Sequence, residues 1–88
     1  MDSTFGDREP EISYPCMWSY KVIGPDPERV RAAVHFVVGS LEHELTDSNV
    51  SRTGKYVSLH LRLVVHDKNQ RHAIFNALRA HPDVKAVL

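Results

Sequence analysis

Eighty-eight residues, 42% hydrophobic and 25% charged, allow one small domain with one modest core. Eleven Lys and Arg balance eleven Asp and Glu, and a zero formal charge argues against a polyanion binder working by bulk attraction. No apolar run reaches the ~18–20 residues of a membrane span, no hydrophobic signal-peptide region opens the chain, and a single cysteine excludes an intrachain disulfide framework, which together point to the cytoplasm.

Residues 1–13 read as a flexible acidic N-terminal arm, ahead of a single domain over 14–88. In the arm Asp2, Asp7, Glu9 and Glu11 face Arg8 alone, and Gly6 and Pro10 interrupt any periodicity. The alternation over 17–23 predicts a first strand, with Trp18, Tyr20 and Val22 on one face and Ser19, Lys21 and Ile23 on the other. Gly24-Pro25 stops it, because proline lacks the donor that a ladder needs. Asp26-Pro27-Glu28 then signals a helix start: a capping carboxylate, a proline suited to the first turn, and an acid at the positive dipole end. Val30, Ala33, Val34, Val37, Val38, Leu41 and Leu45 share one helical stripe, which extends the expected helix over 26–45.

Thr46-Asp47-Ser48-Asn49 punctuates, a short second strand is expected at 50–52, and Thr53-Gly54-Lys55 reads as a hairpin turn. Over 56–66 the alternation is nearly perfect. Val57, Leu59, Leu61, Leu63 and Val65 form an apolar face, opposite Tyr56, Ser58, His60, Arg62 and Val64. Asp67 followed by Gln70 fits a capping box for a second helix reaching Ala80, with Ile74, Ala77 and Leu78 as its stripe. After His81-Pro82-Asp83, a last strand is expected over 84–88. Strand, helix, strand, strand, helix, strand gives an α+β, ferredoxin-like βαββαβ fold: a four-stranded antiparallel sheet with two helices on one face.

Six histidines raise the question of a metal, but none form an i, i+4 pair, and His35 and His43 would stand about 80° apart round one helix without touching. No metal site and no cofactor is implied. Cys16, at a strand entrance beside Pro15, reads as a packing cysteine rather than a nucleophile. Acylphosphatases share this fold and hold phosphate in a Gly-rich first loop; here that loop is Gly24-Pro25-Asp26-Pro27-Glu28, whose two acids repel phosphate. The open sheet face is expected to display Lys21, Tyr56, Ser58, His60, Arg62, Lys85 and Val87. RNA-recognition domains stack bases on that face, and Arg52-Thr53-Gly54-Lys55-Tyr56-Val57 faintly matches their third-strand pattern, though Tyr56 is the lone aromatic. Phe36 falls roughly 140° from the valine stripe, with Ala32, Gly39 and His43 near it, and marks a candidate partner surface.

Tyr14-Pro15-Cys16-Met17-Trp18, Lys21-Val22-Ile23-Gly24, Thr53-Gly54-Lys55-Tyr56 and the closing Val84-Lys85-Ala86-Val87-Leu88 together resemble the YbeD-like family of small bacterial proteins of unknown function. The resemblance covers 14–88 and implies a ferredoxin-like fold related to ACT regulatory domains, with no established activity or catalytic residues. The family carries a label as a lipoate-related regulator. Such proteins usually have Phe or Tyr where this chain has Trp18. By analogy with ACT domains, a small effector would be held at the first strand–helix loop, here Gly24, Pro25 and Asp26, with Gly24 permitting close approach and the helix amides holding a carboxylate. ACT loops usually end Pro-Gly, and this one reads Gly-Pro-Asp-Pro.

The expected function is a non-enzymatic regulatory or adaptor module, monomer or homodimer, that binds a protein partner or small effector and no membrane. Its candidate surfaces are the 24–26 loop, the open face and Phe36. The alternative is single-stranded RNA binding on Lys21, Tyr56, Ser58, His60, Arg62 and Lys85. An enzyme ranks last, since no acid–base pair, nucleophile triad or phosphate cradle emerges.

Overall fold

Capping and alternation set the elements of the computed structural model, which describes residues 12–50 and 54–88. The arm up to residue 11, most of the expected 50–52 strand and Thr53 of the expected turn lie outside the described residues. After a cis Tyr14-Pro15 bond come β1 (Cys16–Gly24), α1 (Pro27–Val38), β2 (Glu44–Val50), β3 (Val57–Val65), α2 (Lys68–Ala80) and β4 (Ala86–Val87). The strands lie in the order β2-β3-β1-β4, every neighbour antiparallel, which is the ferredoxin-like arrangement expected.

Register assigns the faces. Trp18 pairs with Leu63, Tyr20 with Leu61 and Val22 with Leu59, so the apolar sets of β1 and β3 share the face under the helices. Val22, Val30, Val34, Leu59, Leu61, Val65 and Leu78 are fully buried there, each contributing roughly 1.5–3 kcal/mol.

Asp26 caps α1 as its sequence position requires. Its Oδ1 accepts from the Glu28 N–H at 2.8 Å and the Arg29 N–H at 3.3 Å. Asp26→Ala should cost about 1 kcal/mol in a urea titration, the usual worth of such a cap.

The first helix is shorter than the apolar stripe suggests. It stops at Val38, where Gly39 takes a positive φ of 59° and donates its N–H to the His35 carbonyl at 2.8 Å. Leu41 is therefore exposed, and Leu45 sits on β2 opposite Leu61. Their spacing continues the helical period by coincidence, and Gly39-Ser40 is the stronger signal. Correspondingly, the second strand begins at Glu44 rather than residue 50. Its polar outward residues hid it, as suits an edge strand with one wet side.

At α2, Asp67 Oδ1 accepts the Gln70 N–H at 2.7 Å, while Gln70 Oε1 accepts from the N–H of His66 at 2.6 Å. The capping box thus closes one residue early. The last strand is shorter than expected: its ladder covers Val22 and Ile23 of β1, extended by reciprocal Lys21–Leu88 bonds of 3.0 and 2.9 Å.

Candidate functional site

The loop between β1 and α1 is engaged from within. A Cβ at Gly24 would fall 2.5 Å from Val30 Cγ2 and 2.6 Å from the Asp83 carbonyl oxygen, so this glycine serves the packing of α1 and the α2–β4 connection. In the first turn Pro27 has no N–H, Glu28 and Arg29 donate to the Asp26 side chain, and Val30 donates to the Asp26 carbonyl at 2.9 Å. No amide of that turn is left for a ligand carboxylate.

On the open face the register places Met17, Ser19, Lys21 and Ile23 of β1 beside Val64, Arg62, His60 and Ser58 of β3. These eight include no Phe, Tyr or Trp, and Tyr56 is half-buried just before β3. Arg62 meets Glu44 at 3.2 Å, an exposed pair of little energetic weight. Three placements differ from expectation. Ser58 is buried at 8% exposure rather than displayed. Val87 pairs with Val22 and is 7% exposed, so it belongs to the core face. Ala86 stands beside Ile23, and Lys85, exposed, precedes the strand. The second and third follow from the register of β4, which sets Val87 opposite Val22 and Ala86 opposite Ile23.

Phe36 is 80% exposed, and its ring meets the His81 ring edge-on at 5.7 Å. His35 and His43, expected apart, are neighbours at 5.5 Å, because the turn at Gly39 folds the chain back on α1. Among the described residues no three His, Cys, Asp or Glu cluster as metal ligands. A hollow of about 520 Å³ lies where Met17 and Val64 of the open face meet Leu41 and His43.

A second concavity lies elsewhere. Beside β1, on the helix side, a groove of about 490 Å³ is lined by Trp18, Tyr20, Arg71, His72 and Phe75, with Ile12, Ser19 and Leu88 at its rim. Helical spacing of four brings Arg71 and Phe75 to one face of α2. The Arg71 guanidinium lies 4.6 Å over the Trp18 ring, and the Tyr20 hydroxyl donates to the Arg71 carbonyl at 2.7 Å. Burial pushes the Tyr20 phenol up to about 12, against an opposing pull from Arg71 and with a smaller rise from Tyr14. Among the described residues Arg71 pairs with no carboxylate; one of its guanidinium nitrogens stands 2.9 Å from His72 Nε2. An aromatic wall with a stacked guanidinium suits an apolar group bearing a carboxylate.

None of the candidate residues named from sequence lines this groove. Trp18 and Tyr20 fall on the apolar face of the first strand, and nothing in the sequence pattern singles out Arg71. A signal was available in Phe75, which adjoins the Ile74–Leu78 stripe and widens it toward Arg71.

A profile described as protein of unknown function (DUF493) matches residues 9–88. The chain belongs to the DUF493 family. Membership agrees with the YbeD-like resemblance drawn from the β1 and β4 segments. The uncharacterized protein Cj0253 of Campylobacter jejuni is 37% identical over 83% of this chain and 84% of its own length. In fold, the DUF493 chain is similar to the solution structure of HP0495 from Helicobacter pylori, at a TM-score of 0.80, 22% identity, and coverage of 100% of this chain and 97% of that one. It is also similar to the ACT domain of the GTP pyrophosphokinase of Chlorobium tepidum, at a TM-score of 0.59 and 12% identity, over 82% of this chain and 94% of that domain. The DUF493 fold is thus ACT-like as well as ferredoxin-like. No helix among the described residues is long and apolar enough to cross a membrane.

Proposed function

We propose that this chain is a non-enzymatic regulatory or adaptor module that holds a protein partner or small effector in the Trp18–Arg71–Phe75 groove. The observation that carries the reading is the Arg71 guanidinium, stacked on Trp18 at 4.6 Å, without a carboxylate partner among the described residues, at an apolar groove of about 490 Å³. Apolar concavities with a few convergent polar groups are the usual form of a binding site. The polar groups here are suited to holding rather than to chemistry: the Tyr20 hydroxyl is committed to a main-chain carbonyl, and among the described residues no Asp or Glu side chain lines the groove to act as a base. The ACT-like fold supports a regulatory role by analogy of fold.

Native mass spectrometry of protein purified gently at low salt tests this. The wild type should carry an added mass, protein or small molecule, that Arg71→Gln reduces about tenfold in occupancy, as loss of a charge-assisted contact predicts. Retention by Arg71→Gln together with loss from Phe36→Ser or Lys21→Glu would move the site to one of those surfaces.

A further inference from the structure

Among the described residues, the edge of β1 along this groove is unpaired beyond Lys21. Lys21 exchanges both main-chain bonds with Leu88, at 3.0 and 2.9 Å, so its N–H and carbonyl point away from β3. Main-chain groups alternate in direction along a strand, so Ser19 and then Met17 present theirs to the same side. Among the described residues nothing pairs with either there, since the ladder of β4 meets β1 at Val22 and Ile23. Free edges are normally blunted by lysine, proline or a bulge. Between Pro15 and Lys21 this edge carries none of these, and β1 pairs with β3 without a shift from Cys16 to Gly24.

Resting on the reading of the groove as a binding site, we propose that it is a strand-addition site: an extended segment of a partner protein pairs with the main chain of Ser19 and Met17 and sets an Asp or Glu against Arg71. The added strand lies on the same side of β1 as β4, antiparallel to β1. Its side chains alternate. Those on the helix side fall beside Trp18 and Tyr20, where Phe75 supplies an apolar wall and Arg71 the charge. Main-chain pairing gives such a complex its affinity, and the pocket residues give its preference. Charge complementarity decides the occupant, because the Arg71 guanidinium is a fixed cation and, among the described residues, no Asp or Glu side chain lines the groove.

The test is selection from a displayed library of random nine-residue peptides on the immobilised full-length chain, followed by titration of the enriched peptides against variants. Ser19→Pro removes a donor that points outward, so no bond to β3 is lost, and edge positions tolerate proline. Arg71→Gln removes the charge while keeping the helix. Folding of each is checked by circular dichroism. The expected result is a set of alternating peptides with Asp or Glu on one face, bound at least tenfold more weakly by both variants. N-methylation of the winning peptides at the pairing positions should abolish binding. Peptides that bind the two variants and the wild type equally, or an empty selection, overturn the proposal. Undiminished binding of N-methylated peptides would overturn strand addition while leaving the groove as a binding site; an empty selection beside an Arg71-dependent mass in the native spectrum would do the same. Concentration-dependent dimerisation lost in Ser19→Pro, with no peptide bound, would assign the edge to a second copy. Binding that appears only in full-length Glu9→Gln, Glu11→Gln protein would assign it to the chain's own N-terminal residues. Both results overturn the partner.

Discussion

Gly24→Ala is expected to destabilise the fold by about 3 kcal/mol, at the upper end of the range for forcing one methyl into a packed site. The new Cβ would sit 2.5 Å from Val30 Cγ2 and 2.6 Å from the Asp83 carbonyl oxygen. Val30 is fully buried and has nowhere to turn. The Asp83 oxygen is main chain, in a connection tied by the Asp83 N–H to His81 Nδ1 at 3.1 Å and the Val84 N–H to the His81 carbonyl at 3.1 Å. Moving it would drag on the start of β4. Urea unfolding followed by the fluorescence of Trp18, the sole tryptophan, reads the loss directly. At Gly39 the same substitution meets no atom within 4 Å and is resisted only by the positive φ, so it isolates the backbone contribution. The pair also separates two roles for the first loop. If Gly24 were there to admit an effector, Gly24→Ala would keep its urea midpoint and lose only binding.

How legible this was from sequence depends on what each signal reports. Period-2 alternation reports one buried face, so β1 and β3 were found nearly to the residue, and Asp26 and Asp67 fixed the helix starts through caps their side chains make locally. The end of α1 was missed because Leu41 and Leu45 keep a helical spacing that the backbone had already abandoned at Gly39. An edge strand such as β2, with Glu44, Thr46 and Asp47 exposed, carries too little apolar pattern to announce itself. The groove was invisible for a different reason. It depends on how far β4 runs beside β1 and on where α2 lies over Trp18, and both are tertiary facts. Composition can say that Trp18 is apolar and Arg71 charged, but not that one covers the other.

Tyr20 should make the stability of this domain fall between pH 10 and 12, and Tyr20→Phe should abolish that fall. The phenol is 3% exposed, and burial lifts it from 10.0 to about 12, partly offset by the Arg71 charge. Between those two values the unfolded chain gives up the phenol proton while the folded state keeps it, so ionisation favours the unfolded chain and the sign is fixed. The contribution is complete below the unfolded value near 10 and is lost as pH rises through the folded value near 12. Two pKa units correspond to about 3 kcal/mol. At neutral pH the same substitution removes the hydroxyl bond to the Arg71 carbonyl, a loss of about 1 kcal/mol, since that carbonyl also lies within the helix ladder. The two effects have opposite signs, so the stability curves of wild type and Tyr20→Phe must cross. Wild type is the more stable at pH 8 and the variant at pH 12, with Tyr14, Tyr56 and the lysines titrating alike in both. Urea midpoints at pH 8, 10 and 12 check this, and parallel curves would show that the Tyr20 hydroxyl reaches water. Because that hydroxyl holds the stretch of α2 that positions Arg71 over Trp18, the same alkaline window should loosen the groove: peptide or effector binding by the wild type should fall before the domain unfolds.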